Sequence, residues 1–518
     1  MPDYMFMLES RLSPEQRAAL LRVQELAAAT GTNVYLTGGT VRDLITGAPL
    51  RDLDFTVEGN PFRIVKELEK GGAKIVSEDE RLRQVEIVFA GDCDGSLAAA
   101  RDDVYVRPGT KPEIRWSTIM EDLRRRDFSI NAIAISLNPA SRGLLLDPTN
   151  GLGDIEKSEI RALSIHSFTN QPVRLLRALR YAARLGYKLE ARTAEWYELA
   201  LERDLHHSIP PEDAGAELRD VAREERPAAA LKAWEARGLI EILHPQLARR
   251  HPDYEAIARL VKAREDLMAA GLRPRLGQAM IGAILGRLKP RERSSALGKM
   301  GFRASEVEAI VGLEDEALKA AKILAGRKLA MPIEAYRFLE KLPLEQVAYI
   351  LAESSNSKAV SKIRAYVNKW RPLRLALPTV ATELEGLGFP RGPKFDAVVE
   401  NVFALQLSGK GRTPEERVKL LRKLAGIKEP PKKKAKEEKK RASKQQERKA
   451  AREALTSAQQ EKRAAAAEKR EAPAAAAAKA VAPKRPALAK KHERPSRKAE
   501  AKQATAKKAS GRAARRKR

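Results

Sequence analysis

Apolar and polar positions change rhythm along the chain, and each change marks an element. From residue 12 to about 30 apolar side chains recur at helical spacing behind Ser13-Pro14-Glu15-Gln16, which predicts an amphipathic helix with Ser13 as N-cap and Pro14 in its first turn. Val34, Tyr35 and Leu36 read as a strand running into Gly38-Gly39, and Val41 to Ile45 as a short helix beyond the glycines. Leu53, Phe55 and Val57 alternate with Asp52, Asp54 and Thr56, the period of a half-buried strand, and Val85 to Phe89 predict another. Thr118 and Glu121 stand at capping-box spacing, so a helix starts there. The dense charge run Glu121 to Asp127 then leads into apolar Ile133, Ile135 and Leu137. From about 165 to 428 the patterns are mainly helical, broken at Gly238, Pro245, Gly301 and Pro343, with no repeat of fixed period. The fold class is therefore α+β: a mixed head to about residue 155, then helices.

Composition adds bounds. A chain of 518 residues allows about three domains. The single cysteine, Cys93, excludes an intramolecular disulfide and fits a reducing cytoplasm. The opening Met-Pro-Asp-Tyr-Met-Phe is no signal peptide, and no apolar run reaches the ~18–20 residues that span a membrane. The histidines form no adjacent His-Asp pair, and no Cys/His spacing suits zinc. Charge is placed unevenly: of the net +29, residues 429–518 carry +21. That segment has no aromatic residue and hardly any Leu, Ile or Val, so it is expected to be a disordered basic arm. Residues 432–471 are rich enough in Ala, Glu, Lys and Arg for a transient exposed helix. Such an arm binds RNA without sequence preference, or serves solubility.

Candidate chemistry lies in the head. A glycine pair between strand and helix lets backbone N–H groups close on an anion, which the helix N-terminus also favours. Asp52 and Asp54 share a strand face, roughly 6–7 Å apart along it, a spacing suited to one or two hard cations holding a triphosphate. Arg124, Arg125 and Arg126 either make internal ion pairs on a solvated helix or, because the run enters the core, grip a nucleotide. Arg174, Arg177, Arg180 and Arg184 fall within about 120° on one helix, with Leu175, Leu176, Leu179 and Ala183 mostly opposite. That row either faces a cleft, pairing with bases and phosphates through bidentate forks, or faces water.

The ordered set Gly38-Gly39-Thr40-Val41-Arg42-Asp43, Asp52-Leu53-Asp54 and Arg125-Arg126-Asp127-Phe128-Ser129-Ile130-Asn131-Ala132 resembles a known family. It is similar to class II tRNA nucleotidyltransferases and bacterial poly(A) polymerases, members of the polymerase-β-like nucleotidyltransferase superfamily. The likeness continues through Asp147-Pro148, Gly151 and the stretch from Gln171 to Tyr181. It resumes from Leu387 to Pro393 and at Gly409, Thr413 and Glu416, which look like the RNA-contacting end of CCA-adding enzymes. Poly(A) polymerases generally lack that end.

The resemblance implies a catalytic head over 1–155, a neck over 156–240 that binds the base and RNA, and a helical body and tail over 241–428 that bind tRNA. It implies that Asp52 and Asp54 hold two Mg²⁺ ions and that Gly38, Gly39 and Arg42 bind the triphosphate. Arg126 and Asp127 would sense the ribose, Gln171 and Arg174 would read the base edge, and Arg177 and Arg180 would contact phosphate or RNA. The implied reaction is template-independent addition of CCA, or part of it, to tRNA 3′ ends from CTP and ATP. A poly(A) polymerase and a catalytically impaired RNA-binding relative are the alternatives. Two departures bear on them. Ser96 stands where relatives often carry a third carboxylate, for which Glu86, Asp92 or Asp94 is a local substitute. Asn170-Gln171 replaces the family's Glu-Asp, so a neutral amide takes the place of a charged acceptor.

Overall fold

The computed structural model describes residues 3–106 and 112–427; the basic arm expected at 429–518 lies outside the described residues. The chain opens with α1 (Tyr4–Arg11) and α2 (Pro14–Ala29). The Ser13 hydroxyl accepts from the Gln16 amide at 3.2 Å, while Gln16 Oε1 accepts from the Ser13 amide at 3.0 Å, so the predicted cap forms in full. The pattern did not predict α1, whose one fully buried residue is Leu8.

The mixed region follows as β1 (Asn33–Thr37), α3 (Gly39–Thr46), β2 (Leu53–Glu58), α4 (Pro61–Lys70), β3 (Lys74–Asp79), β4 (Gln84–Phe89) and β5 (Cys93–Ala99). Next come β6 (Arg101–Val104), β7 (Glu113–Trp116), α5 (Ile119–Arg124), β8 (Ala134–Ser136), β9 (Leu145–Leu146), α6 (Gly151–Lys157) and β10 (Glu159–Ile160). Seven strands form one sheet in the order β3-β4-β5-β2-β1-β8-β9, in which β2 and β5 run parallel and the other pairs antiparallel. The hairpin β6–β7 stands apart as its own two-stranded sheet.

Register decides what each sheet face carries, because side chains alternate along a strand. Leu36 pairs with Phe55, Val34 with Val57, Phe55 with Leu97 and Val85 with Leu97; these buried residues make one face, against α2 and α4. The opposite face receives Thr37, Asp54, Thr56, Ser96, Ala98 and Gln84, all lining one cleft.

Beyond the sheet the chain is mainly helical: α7 (Ser167–Asn170), α8 (Arg174–Leu185), α9 (Ala191–Glu202), α10 (Pro211–Arg223) and further helices through Pro414–Leu424, with the two-residue β11 (Lys188–Leu189) paired to β10. One apolar core runs from the sheet into these helices, where Trp234 is buried and donates its indole N–H to the Leu176 carbonyl at 2.9 Å. A second gathers residues from Ala263 to Leu421. Among the described residues no helix is long and apolar enough to cross a membrane.

Candidate nucleotide-transfer site

The glycine turn and the carboxylate pair are fastened together by one threonine. Thr40, in the first turn of α3, donates its hydroxyl to the Asp52 carbonyl and accepts from the Asp54 amide, each at 3.0 Å. Gly38 precedes the helix at φ +68°, a left-handed conformation that favours glycine. A Cβ there would also stand 3.0 Å from Arg126 Nη1, so the turn is both bent and closely approached. Asp54 accepts on Oδ1 from the Ser96 hydroxyl at 2.8 Å, while its Oδ2 lies on the side of Gly39, 3.9 Å from where that residue's Cβ would be.

Burial pushes the Asp54 carboxyl up; Ser96, Arg126 and Arg42 oppose the shift without cancelling it. Asp52 lies just ahead of β2 rather than in it and is exposed. Surrounding protein that thins its hydration, together with the charges of Asp54 and Asp94, still pushes its carboxyl up to about 6. The expected third-carboxylate position holds Ser96, registered opposite both Asp54 and Glu86. Asp92 and Asp94 pair instead with Arg275, at 3.6 and 3.1 Å.

The arginine run makes internal ion pairs, and one of its members also reaches the cleft wall. Arg125 and Arg126 converge on buried Asp122, Arg126 reaching Oδ2 from Nη2 at 2.9 Å and Arg125 bonding Oδ1. Burial alone would raise the Asp122 carboxyl; Arg126 and Arg125 outweigh it and hold the group low. Arg126 also donates to Thr56 Oγ1 at 3.1 Å, which places its guanidinium on the cleft wall. Asp127 accepts from its neighbour Phe128 at 2.8 Å, from Asn131 at 3.1 Å and from Arg177 at 3.0 Å. Burial opposes ionisation of Asp127, yet Arg177 and Arg174 hold its carboxyl down at about 2. Arg42 is fully buried behind the glycine turn, bonded to Asp43 Oδ1 at 2.9 Å and Asn131 Oδ1 at 2.6 Å; it does not line the cleft.

The arginine row of α8 corrects its expectation. Only Arg174 and Arg177 line the cleft. Arg180 is buried against α10, with Nε on Glu217 at 2.9 Å, Nη1 on Glu224 at 3.1 Å and Nη2 on Asp220 at 2.7 Å. Arg184 donates to Asp43 at 2.6 Å. The row is therefore divided, with Arg174 and Arg177 toward the cleft and Arg180 and Arg184 turned to carboxylates of the fold, and every guanidinium nitrogen of Arg180 is held by one of them. The signal was present in the sequence: Glu217, Asp220 and Glu224 make an acidic stripe at helical spacing, the complement of the arginines. Asp122, Asn131 and Asp103, which accepts from Arg101 at 3.1 Å and Arg125 at 3.0 Å, were also missed, because a hub that binds side chains from several elements leaves no local pattern.

Arg174 is buried with Nη1 on Ser167 Oγ at 2.8 Å and Nη2 on the Arg125 carbonyl at 3.3 Å, while its Nε has no partner. Burial drags its guanidinium pKa down despite the nearby Asp127. Beside it Gln171 donates its amide nitrogen to the Tyr105 hydroxyl, leaving the amide oxygen to face elsewhere. These groups enclose about 470 Å³ together with Gly38, Gly39, Asp54 and Arg126. Among the described residues, the trio of possible metal donors that lies within 4.8 Å is Asp204, His206 and His207, which follows α9 and does not line this cleft.

Residues 34–161, which supply the glycine turn, both aspartates and the Asp122 hub, match a family described as the poly A polymerase head domain. This part of the chain resembles a poly A polymerase head. The chain is also similar to an A-adding tRNA nucleotidyltransferase of Geobacter sulfurreducens, 24% identical over 81% of this chain and 48% of that protein. An A-adding tRNA nucleotidyltransferase of Halalkalibacterium halodurans is 35% identical over 44% of this chain and 56% of its own length. A CC-adding tRNA nucleotidyltransferase of Deinococcus radiodurans is 35% identical over 34% and 47%. The chain thus spans about half the length of these relatives. The matched residues carry the glycine turn and the Asp54 side of the cleft; Gln171, Arg174 and Arg177 close it from beyond the match.

Proposed function

We propose that this protein is a template-independent nucleotidyltransferase that adds CCA, or part of it, to tRNA 3′ ends from CTP and ATP. The observation that carries the reading is the cleft itself, where a glycine turn at a helix start, the half-buried Asp54 and an unpartnered arginine N–H meet within one volume. The relatives named for A and CC addition support the choice of reaction. In the reaction the RNA 3′-oxygen bonds to the α-phosphorus of the incoming nucleotide, the bond to the bridging oxygen breaks, and pyrophosphate and a proton leave.

The residues fit a divalent metal. Asp52 and Asp54 offer only hard oxygen donors, and two carboxylates with substrate phosphates and water are the usual holding of Mg²⁺. A bound pair of ions would stabilise the attacking and leaving oxygens. The protein does the positioning. Gly38 and Gly39 take the triphosphate at the start of α3, with the Arg42 charge set beneath the turn rather than exposed to it. Arg126 and Asp127 meet the ribose. Arg174 Nε and the Gln171 oxygen meet the base edge, which for cytosine and adenine pairs a ring-nitrogen acceptor with an amine donor. Residues 1–155, 156–240 and 241–428 act as head, neck and tRNA-binding body in a cytoplasmic enzyme, and the arm at 429–518 adds non-specific RNA affinity.

The test is incubation of purified protein with tRNAs ending in N, NC and NCC, each NTP supplied separately, beside Asp54→Ala. Incorporation limited to C and A, and lost by orders of magnitude in the variant, is expected. Turnover by Asp54→Ala at the wild-type rate overturns the reading.

A further inference from the structure

The β6–β7 hairpin ends on Trp116, and 52% of that residue is open to solvent. One exposed aromatic is ordinary, but the surroundings of this one are specific. The guanidinium of Arg83 lies over the indole, 3.6 Å from the ring centroid. Arg83 sits in the turn between β3 and β4 with φ +52°, a left-handed conformation rare for a side chain of its size. Its Nη1 is buried without a hydrogen-bond partner. The backbone is thus bent, and a donor left unpaired, while an arginine covers one face of an indole that is otherwise exposed.

A second cavity, of about 370 Å³, opens at this tryptophan, and Arg115, Arg124 and Arg125 line it with Asp102 and Glu121. Arg125 lines the catalytic cleft as well, so the two cavities share a wall. Arg115 and Arg124 are exposed, and among the described residues neither has a carboxylate within 4.0 Å. Glu121 accepts on its Oε2 from the Ser117 and Thr118 hydroxyls and the Thr118 amide. The lining thus sets an exposed indole and two arginines without a carboxylate partner beside the carboxylates of Asp102 and Glu121.

We infer that Trp116, backed by Arg83 and flanked by Arg115 and Arg124, is a stacking platform for an unpaired base of an RNA strand whose phosphates the two free arginines hold. Stacking on an indole tolerates any base, and an arginine on the far face adds attraction to the system. The cavity has neither a glycine turn nor a metal-binding carboxylate pair of its own, which argues for a strand rather than a second nucleoside triphosphate. The inference rests on the RNA-extending reading of the cleft for its choice of ligand, and its test does not need transfer.

Binding of a fluorescein-labelled ten-nucleotide single-stranded RNA to the full chain, without NTP or metal, is measured by anisotropy for wild type, Trp116→Ala, Trp116→Phe and Arg115→Glu/Arg124→Glu. Loss of a stacked base is expected to weaken binding about tenfold or more in Trp116→Ala. Phenylalanine should recover most of that, and the double variant should weaken binding and flatten its salt dependence. Unlabelled CMP or AMP should leave Trp116-dependent binding in place. Equal affinity for all four proteins overturns the platform, as does equal weakening by alanine and phenylalanine. Competition by mononucleotide at micromolar concentration assigns the site to free nucleotide and overturns the strand. If incorporation fails while Trp116→Ala still loses RNA, the platform stands and the transferase reading falls.

Discussion

Glu217 is the residue whose replacement tests the charge architecture most directly. Its carboxylate is 1% exposed and takes Arg177 Nε at 2.6 Å on one oxygen and Arg180 Nε at 2.9 Å on the other. Burial alone would raise this carboxyl; the two arginines outweigh that and hold it low. Glu217→Gln keeps the shape but has one acceptor, so its NH₂ group must face a guanidinium that also only donates. Removing one partner of a buried pair costs about 3–5 kcal/mol. Because one bond survives and Arg180 retains Asp220 and Glu224, the loss belongs near the lower end, about 3 kcal/mol. Asp220→Asn is the matched control: it too touches Arg180, but its side chain is 43% exposed, and exposed pairs contribute about 0.2–1 kcal/mol.

Urea unfolding of the full chain at pH 7.5, followed by circular dichroism, compares the two midpoints. The same variant should lose incorporation at temperatures where it is folded, since Arg177 is the cleft residue that Glu217 steadies against Asp127. A midpoint for Glu217→Gln equal to that for Asp220→Asn would refute the claim that α8 and α10 are locked through this carboxylate.

Two further outcomes follow from the cleft. The Asp52 carboxyl, held at about 6, lies above the ordinary aspartate value of ~3.9, so the native state binds this proton more tightly than the unfolded chain does. The ionised group therefore costs stability above pH 6, and the cost vanishes below about pH 4; Asp52→Asn should raise the melting temperature in EDTA at pH 7.5 but not at pH 4, and an equal difference at both refutes it. Tyr105→Phe frees the Gln171 amide to rotate and present either end to a base, so the CTP-over-UTP ratio of kcat/KM should fall; an unchanged ratio means that the Tyr105 contact does not set the amide.

Local signals carried most of the head. Ser13 and Gln16 close their cap because both partners lie within one turn, and the alternation at residues 53–57 gives the strand and its buried face directly. The glycine turn and the direction of Asp54 were legible for the same reason, whereas Asp52, just ahead of β2, falls outside the strand period. What the pattern left open was which strand lies beside which. That β5 runs parallel to β2 and sets Ser96 against Asp54 is a matter of long-range pairing, invisible to any window of sequence.

The arginines show why charge is harder to read than hydrophobicity. A leucine at a periodic position needs only an apolar surface, and any will serve, so its own sequence predicts its burial. An arginine goes wherever carboxylates are, and its sequence says nothing of where those lie. Arg174 and Arg180 occupy the same stripe of α8, yet Arg180 finds three carboxylates on and just past α10 while Arg174 finds Ser167 and a carbonyl and keeps its Nε–H unspent. The stripe has two jobs, structural at one end and open to a ligand at the other, and only the partners separate them. An arginine is therefore a candidate for nucleotide contact to the extent that its hydrogen-bond capacity is left over after the fold has taken its share. By that measure Arg174 in the cleft, and Arg115 and Arg124 beside Trp116, retain what Arg180 and Arg42 have already spent.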